Sequence, residues 1–516
     1  MMSLGAANVY AETCRHESLD ASDSVIRGQF NSQGKDCFTL PLQAGFYFNV
    51  VLKGGSALVL ADEQRKHIRT LFADMPITSE NKGVFDIHQD KKYTFVIRGN
   101  PSDQYQIQLI PHTAVPLKVE LQNEIISPTI TRLKTSIDSG GKSTEFWRER
   151  TLSGAPMVEP YDEQNRIVTF LWRGARQNAY ILGAPSGDHD PLFHLPGSDV
   201  WFRSYIVPAD TLMSYKIAPD VPEITSSARE QRRAILITAQ ADPLNPQASP
   251  YPSEDKYNHH SLLNLAGDKV CRARLSDGQK LHGVVNSFTF YSPTLKNNRE
   301  IAIYEPTLSH GDNQARNVVF LFDGKTYMKK YHIHKVLDKL IADKEIPPVT
   351  LVFVDVIDAE TREKELPPNP DFADFMAKEL IPWLAQKGIN TTADKTIVSG
   401  SSYGGLASAW VAYQYPAIFG NVLSMSGSYW WAPKDEEGEW LIRQFAASDK
   451  KAIRFYLEAG RFENRGDNGG ILMNNRHFYD LLKSKGYDVE HAERSSGHDY
   501  ISWCEAIPHG IKALLR

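Results

Sequence analysis

The residues of this chain with the most chemical promise lie at Gly400-Ser401-Ser402-Tyr403-Gly404, a G-x-S-x-G string. A serine hydroxyl becomes a nucleophile when a neighbouring base removes its proton. A histidine stands late in the chain, His498, within Ser496-Gly497-His498-Asp499. A pair of this kind performs acyl transfer, with a carboxylate as the third member that orients the imidazole. In the chain order serine, acid, histidine, the acid belongs after a strand over Arg454–Ala459. Glu463 comes first there and Asp467 follows it. Glu463 is the expected acid, because it is nearer the strand end; Asp467 is the alternative, and a Ser–His dyad a third reading. His491 and His509 fit the base less well, one falling in a strand and the other in the last helix. Asp499 reads as structural.

A tetrahedral oxyanion needs two backbone donors. The amide of Tyr403, after the serine, is one expectation. The other is Gly324 in Asp323-Gly324-Lys325, where a missing side chain would let the backbone approach a substrate; a plain turn glycine is the alternative.

A G-x-S-x-G string means little without a strand before it and a helix after it. Here the apolar run Thr396–Ser399 precedes it and a helical pattern over Gly404–Gln414 follows. The same alternation continues on both sides. Strands are expected at Val318–Phe322, Val349–Val354, Asn421–Ser424, Arg454–Ala459 and near Val489–Glu493. Helices are expected near His334–Ala342, Asp371–Lys387, Asn474–Lys485 and Glu505–Leu515. Buried strands separated by helices imply a doubly wound, mostly parallel sheet, the α/β-hydrolase fold, over residues 268–516.

The earlier residues read differently. Phe46, Phe48, Val50 and Leu52 alternate, as do Tyr93, Phe95 and Ile97, and again Tyr105, Ile107 and Leu109, the period of half-buried strands. Residues 1–125 are therefore expected to form a small all-β sandwich, which resembles the pre-peptidase C-terminal type of accessory domain. A second all-β sandwich is expected over 135–245, with strands at Ile167–Arg173, Val200–Pro208 and near Leu212–Ala218. Residues 246–267, rich in Pro and polar residues, read as a linker.

With 516 residues the chain exceeds what one core supports, in keeping with three domains. A net charge of −5 gives no reason to expect nucleic acid as a partner. No run of 18 apolar residues exists, so no membrane-spanning helix is expected. Val9-Tyr10-Ala11 is similar to a signal-peptidase site, although a charged segment and an apolar segment before it are missing. A shortened leader and a chance likeness both fit; export is the expectation taken. Cys14 and Cys37 sit close enough for a disulfide in an oxidising compartment, with Cys271 and Cys504 completing a set of four that has no C-x-x-C spacing. The other reading is four buried thiols.

Several stretches together resemble the enterochelin (ferric enterobactin) esterase family. They are FWRE (146–149), GAPMVEP (154–160), SDVWF (198–202), ADPLNP (241–246), LFDGKTY (321–327), VDVIDAETREKELPPNPDF (354–372), SGSSYGGLAS (399–408), SMSGSYWW (424–431), LEAGRFE (457–463) and GHD (497–499). The resemblance covers roughly 140–516. It implies hydrolysis of the ester bonds of a catecholate tri-lactone siderophore, iron-loaded or free, with iron entering as part of the substrate and no cofactor or protein-bound metal. It implies Ser402 as nucleophile, His498 as base, Glu463 in the acid slot and Arg362 facing the substrate. A surface ion pair of Arg362 with Glu365 is the alternative. Trp430 and Trp431 are candidates to pack on catechol rings, or else core aromatics. The added amino-terminal domain makes the chain look like an exported, periplasmic variant, with a cytoplasmic location as the alternative. Two other functions remain open, a carbohydrate-acting feruloyl or acetyl esterase and a non-catalytic ferric-siderophore binding protein. Oligomeric state is not legible.

Overall fold

Alternation of apolar and polar residues produces two stacked sheets at the amino-terminal end. A computed structural model describes residues 14–18, 24–87, 89–113, 115–116, 125–223, 228–247, 253, 255–267, 281–307, 315–465 and 470–515; the signal-like Val9-Tyr10-Ala11 lies outside them. The first sheet runs Arg15–His16, Lys35–Leu42, Lys91–Arg98, Ala57–Asp62, His67–Phe72, and the second Ser24–Gln29, Gln104–Thr113, Phe46–Lys53, Asn81–Asp86. Phe48, Val50 and Leu52 from one sheet meet Phe38, Phe95 and Ile97 from the other in a closed core. A disulfide joins Cys14 to Cys37, holding the short first strand onto its parallel neighbour. Cys504 is disulfide-bonded too, which corrects the reading of four thiols.

The second sandwich stacks Met157–Pro160, Asn165–Arg173, Val200–Pro208, Phe193–His194 on Asp190–Pro191, Ala179–Leu182, Leu212–Pro219, Ser261–Asn264. Two expectations are corrected here. The domain is not all-β: helices Pro128–Asp138, Thr144–Ser153 and Ala228–Thr238 belong to it. Ile130, Leu133 and Trp147 pack with Leu171, Val200 and Phe202 in one cluster, so the boundary falls before Pro128 and not at 135. Residues 246–267 are also not simply a linker. Ser261–Asn264 pairs antiparallel with Leu212–Tyr215. Because successive strand residues face opposite sides, Leu263 enters the sandwich core while Leu262 packs on Tyr331 and Ile501 of the following domain.

That following domain is built on eight strands: β1 (Val284–Ser292), β2 (Asn297–Glu305), β3 (Asn317–Phe322), β4 (Val349–Val354), β5 (Thr396–Ser401), β6 (Asn421–Met425), β7 (Arg454–Gly460) and β8 (Asp488–Arg494). Their order in the sheet is β1-β2-β4-β3-β5-β6-β7-β8. The pairs from β4-β3 through β7-β8 are parallel, and the hairpin β1–β2 joins antiparallel to β4. In β3, Val318, Phe320 and Phe322 enter the core on one face, and Val319 and Leu321 that on the other. Both faces are covered, which is why these strands read as continuous apolar runs. The first face carries α2 (Tyr403–Gln414), α3 (Trp440–Ala447) and α4 (Gly470–Ser484), and the second carries α5 (Tyr500–Leu514). A short helix α1 (Ala359–Glu365) follows β4.

Leu262 is the side chain that fastens the sandwich to this domain at Ile501. Leu262→Ala is expected to lower unfolding stability by about 2–5 kcal/mol, the usual cost of a large-to-small change in a packed site. A denaturant midpoint equal to that of the parent would contradict the packing.

Candidate active site

Ser402 sits between β5 and α2 with φ 57° and ψ −120°, a region that residues other than glycine rarely occupy. The surroundings hold it there. Its N–H donates to the Met425 carbonyl at 2.9 Å, and its own carbonyl accepts the Ser428 N–H at 3.1 Å. Gly400 faces Gly404 across the turn so closely that a Cβ would lie 2.7 Å from it, so a side chain would force the turn open. Ser402 Oγ is 3.2 Å from Ser428 Oγ, and among the described residues this is its hydrogen-bond partner.

His498 lies on the loop between β8 and α5, and its Nδ1 is 2.5 Å from Glu463 Oε1. Since an ionised carboxylate only accepts, Nδ1 carries the proton and Nε2 is left as the basic nitrogen. Glu463 is almost fully buried. Its Oε2 accepts the Gly460 N–H at 2.6 Å and the Ser426 hydroxyl at 2.7 Å. Ser426 Oγ in turn accepts from Trp503 Nε1 at 2.8 Å, and the Trp503 ring stands perpendicular to His498 at 4.8 Å. The imidazole is thus fixed by a charge at one nitrogen and an aromatic wall.

Asp467, the alternative acid, lies outside the described residues. Asp499 caps α5 by accepting the Ile501 N–H at 3.1 Å, and its other oxygen accepts the Ser214 N–H from the second sandwich. His491 stacks on Tyr479, and His509 bonds the Glu505 carbonyl; their partners lie elsewhere than Glu463.

At the mouth, Arg362 forms a two-pronged pair with Asp323, Nε to Oδ1 at 2.6 Å and Nη2 to Oδ2 at 2.7 Å. Glu365 instead holds the buried Arg299 at 2.8 Å, so the alternative reading, an Arg362–Glu365 pair, is not what forms. Arg362 lies in α1, and its fork is occupied by the carboxylate that begins the Asp323-Gly324 turn. Gly324 has a further reason to lack a side chain. A Cβ there would meet the Phe353 carbonyl carbon at 2.7 Å and the Val354 nitrogen at 2.8 Å, so the close approach is to β4 of its own chain. Tyr403 is the first residue of α2, whose leading amides lack partners within the helix. Its ring lies 5.8 Å from the Arg362 guanidinium and 6.0 Å from the Trp430 ring. Trp430 is 46% exposed, whereas Trp431 packs edge-on against Trp440 at 6.2 Å. The two tryptophans therefore part company: one faces the mouth and one the core.

Ser426, Ser428, Trp503 and Glu458 were missed as site residues by sequence reasoning. The first two lie in SMSGSYWW, whose serines follow β6 just as Ser402 follows β5. Glu458 is fully buried in β7 beside Glu463, with Ser502 Oγ donating to its Oε1 at 3.2 Å. Burial, with the Glu463 charge adding to it, pushes the Glu458 carboxyl up to about 8, against the pull of Arg494. Unfolded chain releases this proton near the ordinary 4.5 and folded chain near 8, so folding loses stability as pH rises through that window. Glu458→Gln is expected to flatten the fall in melting temperature between pH 5 and pH 8, by an amount worth a few kcal/mol. Parallel melting curves for parent and variant would place the titration elsewhere.

Residues 292–514 match the family model described as a putative esterase, and residues 167–269 match that of the enterochelin esterase N-terminal domain. The iron(III) enterobactin esterase of Dickeya dadantii is 29% identical over 411 residues, spanning 72% of this chain and 92% of that protein. The iron(III) salmochelin esterase of Escherichia coli is 26% identical, spanning 72% and 93%. The crystal structure of the enterobactin esterase from Shigella flexneri in the presence of enterobactin superposes with a TM-score of 0.59 at 26% identity, covering 72% of this chain and 98% of that one. The amino-terminal sandwich lies outside both family models. With a region that matches the enterochelin esterase N-terminal model ahead of one that matches the esterase model, this chain is a carboxylic ester hydrolase similar to the enterochelin esterases.

Proposed function

We propose that the chain hydrolyses the ester bonds of a catecholate tri-lactone siderophore of the enterobactin or salmochelin type, iron-loaded or free. The observation that carries this is the Glu463–His498 pair at 2.5 Å on the same edge of the sheet as the strained Ser402, in a chain whose relatives are named for those substrates. The sheet order and the place of Ser402 after β5 support reading residues 281–515 as an α/β hydrolase.

Ser402, His498 and Glu463 act as a triad. His498 Nε2 takes the Ser402 proton as Oγ attacks the ester carbonyl. The oxyanion is met by the backbone amides of Tyr403 and Gly324. The imidazolium, balanced by Glu463, then protonates the departing serine oxygen of the lactone, and water repeats the sequence on the acyl-enzyme. Trp430 and Tyr403 offer apolar faces to a catechol ring. Arg362 shapes the Asp323-Gly324 turn through its pair with Asp323, and its remaining charge faces the mouth. Trp431 is a core residue in this reading. A carbohydrate-acting esterase would call for an aromatic strip on the accessory domains. Among the described residues the one exposed large aromatic on the two sandwiches is Tyr161. The Cys14–Cys37 bond supports export to an oxidising compartment such as the periplasm. Recovery of the native protein solely from cytoplasm would reject that location.

Mass spectrometry of the products from ferric and iron-free tri-lactone, beside the linear trimer, tests the substrate. Ser402→Ala is expected to abolish turnover, by about 10⁶ if the triad behaves as in well-studied serine hydrolases, with the fold kept. Activity above a tenth of the parent would name the wrong serine. Glu463→Gln is expected to slow turnover more than tenfold; parental rates would favour a dyad. Because Arg362 is bonded to Asp323, Arg362→Ala is expected to slow a small p-nitrophenyl ester as well as the siderophore. A defect confined to the siderophore would assign Arg362 to substrate binding alone.

A further inference from the structure

A cavity of about 700 Å³ lies between the amino-terminal sandwich and the esterase domain, within the range of about 300–1,000 Å³ that holds small ligands. Its roof is the loop Met75–Thr78, between sandwich strands, and its floor is Val356 and Ile357, just past β4. Two contacts hold the roof in place: Lys325 Nζ donates to the Asp74 carbonyl at 2.5 Å, and Ser79 Oγ donates to Asp358 at 2.8 Å. The matched relatives, covered over nine-tenths or more of their own length, account for only 72% of this chain, and the roof comes from a domain outside the family models.

The cavity opens at the carboxyl ends of β4 and β3, the edge of the sheet that also carries Ser402. In the strand order β4-β3-β5 the floor stands two strands from the serine, about 10 Å at the usual strand spacing. Its lining joins two chemistries. Met75, Pro76, Val356 and Ile357 present apolar faces, while Lys329, Lys330 and Asp355 bring charge. Lys329 is balanced by Glu300 at 3.7 Å. Lys330 has no hydrogen bond or ion pair among the described residues, and burial lowers its pKa. Burial also pushes Asp355 up to about 6. An aromatic ring with acidic oxygens on one side and an amide N–H on the other matches this lining.

We infer that the cavity is a second subsite, which takes a dihydroxybenzoyl amide arm of the substrate while another arm's ester is cut at Ser402. The inference rests on the tri-lactone reading above and assigns the amino-terminal sandwich a part in substrate recognition. The ring lies between Pro76 and Ile357, and the ammonium groups of Lys329 and Lys330 face its oxygens.

Steady-state kinetics on the full chain decide it. Thr78→Trp fills the roof with bulk, and Lys329→Glu reverses charge at an exposed position. Each is expected to raise KM for iron-free tri-lactone tenfold or more, with kcat and the hydrolysis of p-nitrophenyl acetate unchanged. Added 2,3-dihydroxy-N-benzoyl-glycine is expected to compete with tri-lactone in the parent and more weakly in both variants. Should Thr78→Trp fail to fold by circular dichroism, Lys329→Glu carries the decision alone. Unchanged KM in a folded variant, with the parent cutting tri-lactone, overturns the subsite and leaves the esterase function standing. A parent chain that leaves tri-lactone intact overturns both.

Discussion

The contact between Glu463 and His498 is the constraint on which the rest of the site depends. A carboxylate closed off from water at 2.5 Å from Nδ1 fixes both the tautomer and the direction of the imidazole. Burying that carboxylate is costly unless its oxygens are satisfied, and they are, by the Gly460 amide and the Ser426 hydroxyl. The cost of placing a second carboxyl, Glu458, in the same interior is avoided by keeping it protonated through neutral pH. The site therefore contains one charged and one neutral acid side by side, with Ser426 donating to Glu463, Ser502 donating to Glu458, and Trp503 donating to Ser426.

The second sandwich extends this frame and does more than sit beside it. Phe462, next to Glu463, is buried in the sandwich core with Phe170 and Trp201. Arg465 reaches Asp188 at 2.7 Å. On the histidine side, the Leu212 N–H donates to the Ser495 carbonyl at 3.0 Å, and Ser214 bonds Asp499. The acid loop and the histidine loop are thus both fastened to one β-domain, so the 2.5 Å pair is set by interdomain packing as much as by the esterase sheet. This gives a physical reason for the accessory domain to travel with the esterase domain.

Much of this was legible in the sequence, and what was not has identifiable causes. The central strands β3 and β4 stand out because they are almost continuous apolar runs buried on both faces. Strand β1 lies at the sheet edge and is largely exposed, so the hairpin it opens carries a weaker apolar signal. Ser127-Pro128 is a helix start, yet the strand-rich surroundings hid the helix it opens. Ser261–Asn264 is too short to announce itself among polar neighbours. At the site, Ser402, His498 and Glu463 follow from chain order and distance to strand ends. The partner of Arg362 does not, because Asp323 is 39 residues away and it is the parallel pairing of β3 with β4 that sets their following segments side by side. Gly324 is conspicuous in the sequence as a turn glycine, but its close approach to β4 is a tertiary contact that the sequence does not announce.

The account turns on a covalent intermediate at one serine. Rapid acid quench of the full chain with tri-lactone, followed by intact mass and peptide mapping, observes it directly. The expected result is a transient mass increase equal to the opened ester, located on the peptide that contains Ser402 and absent from Ser402→Ala. An adduct on a different residue, or turnover in which hydroxyl oxygen from water enters the first product with no adduct formed at any time, would contradict the account.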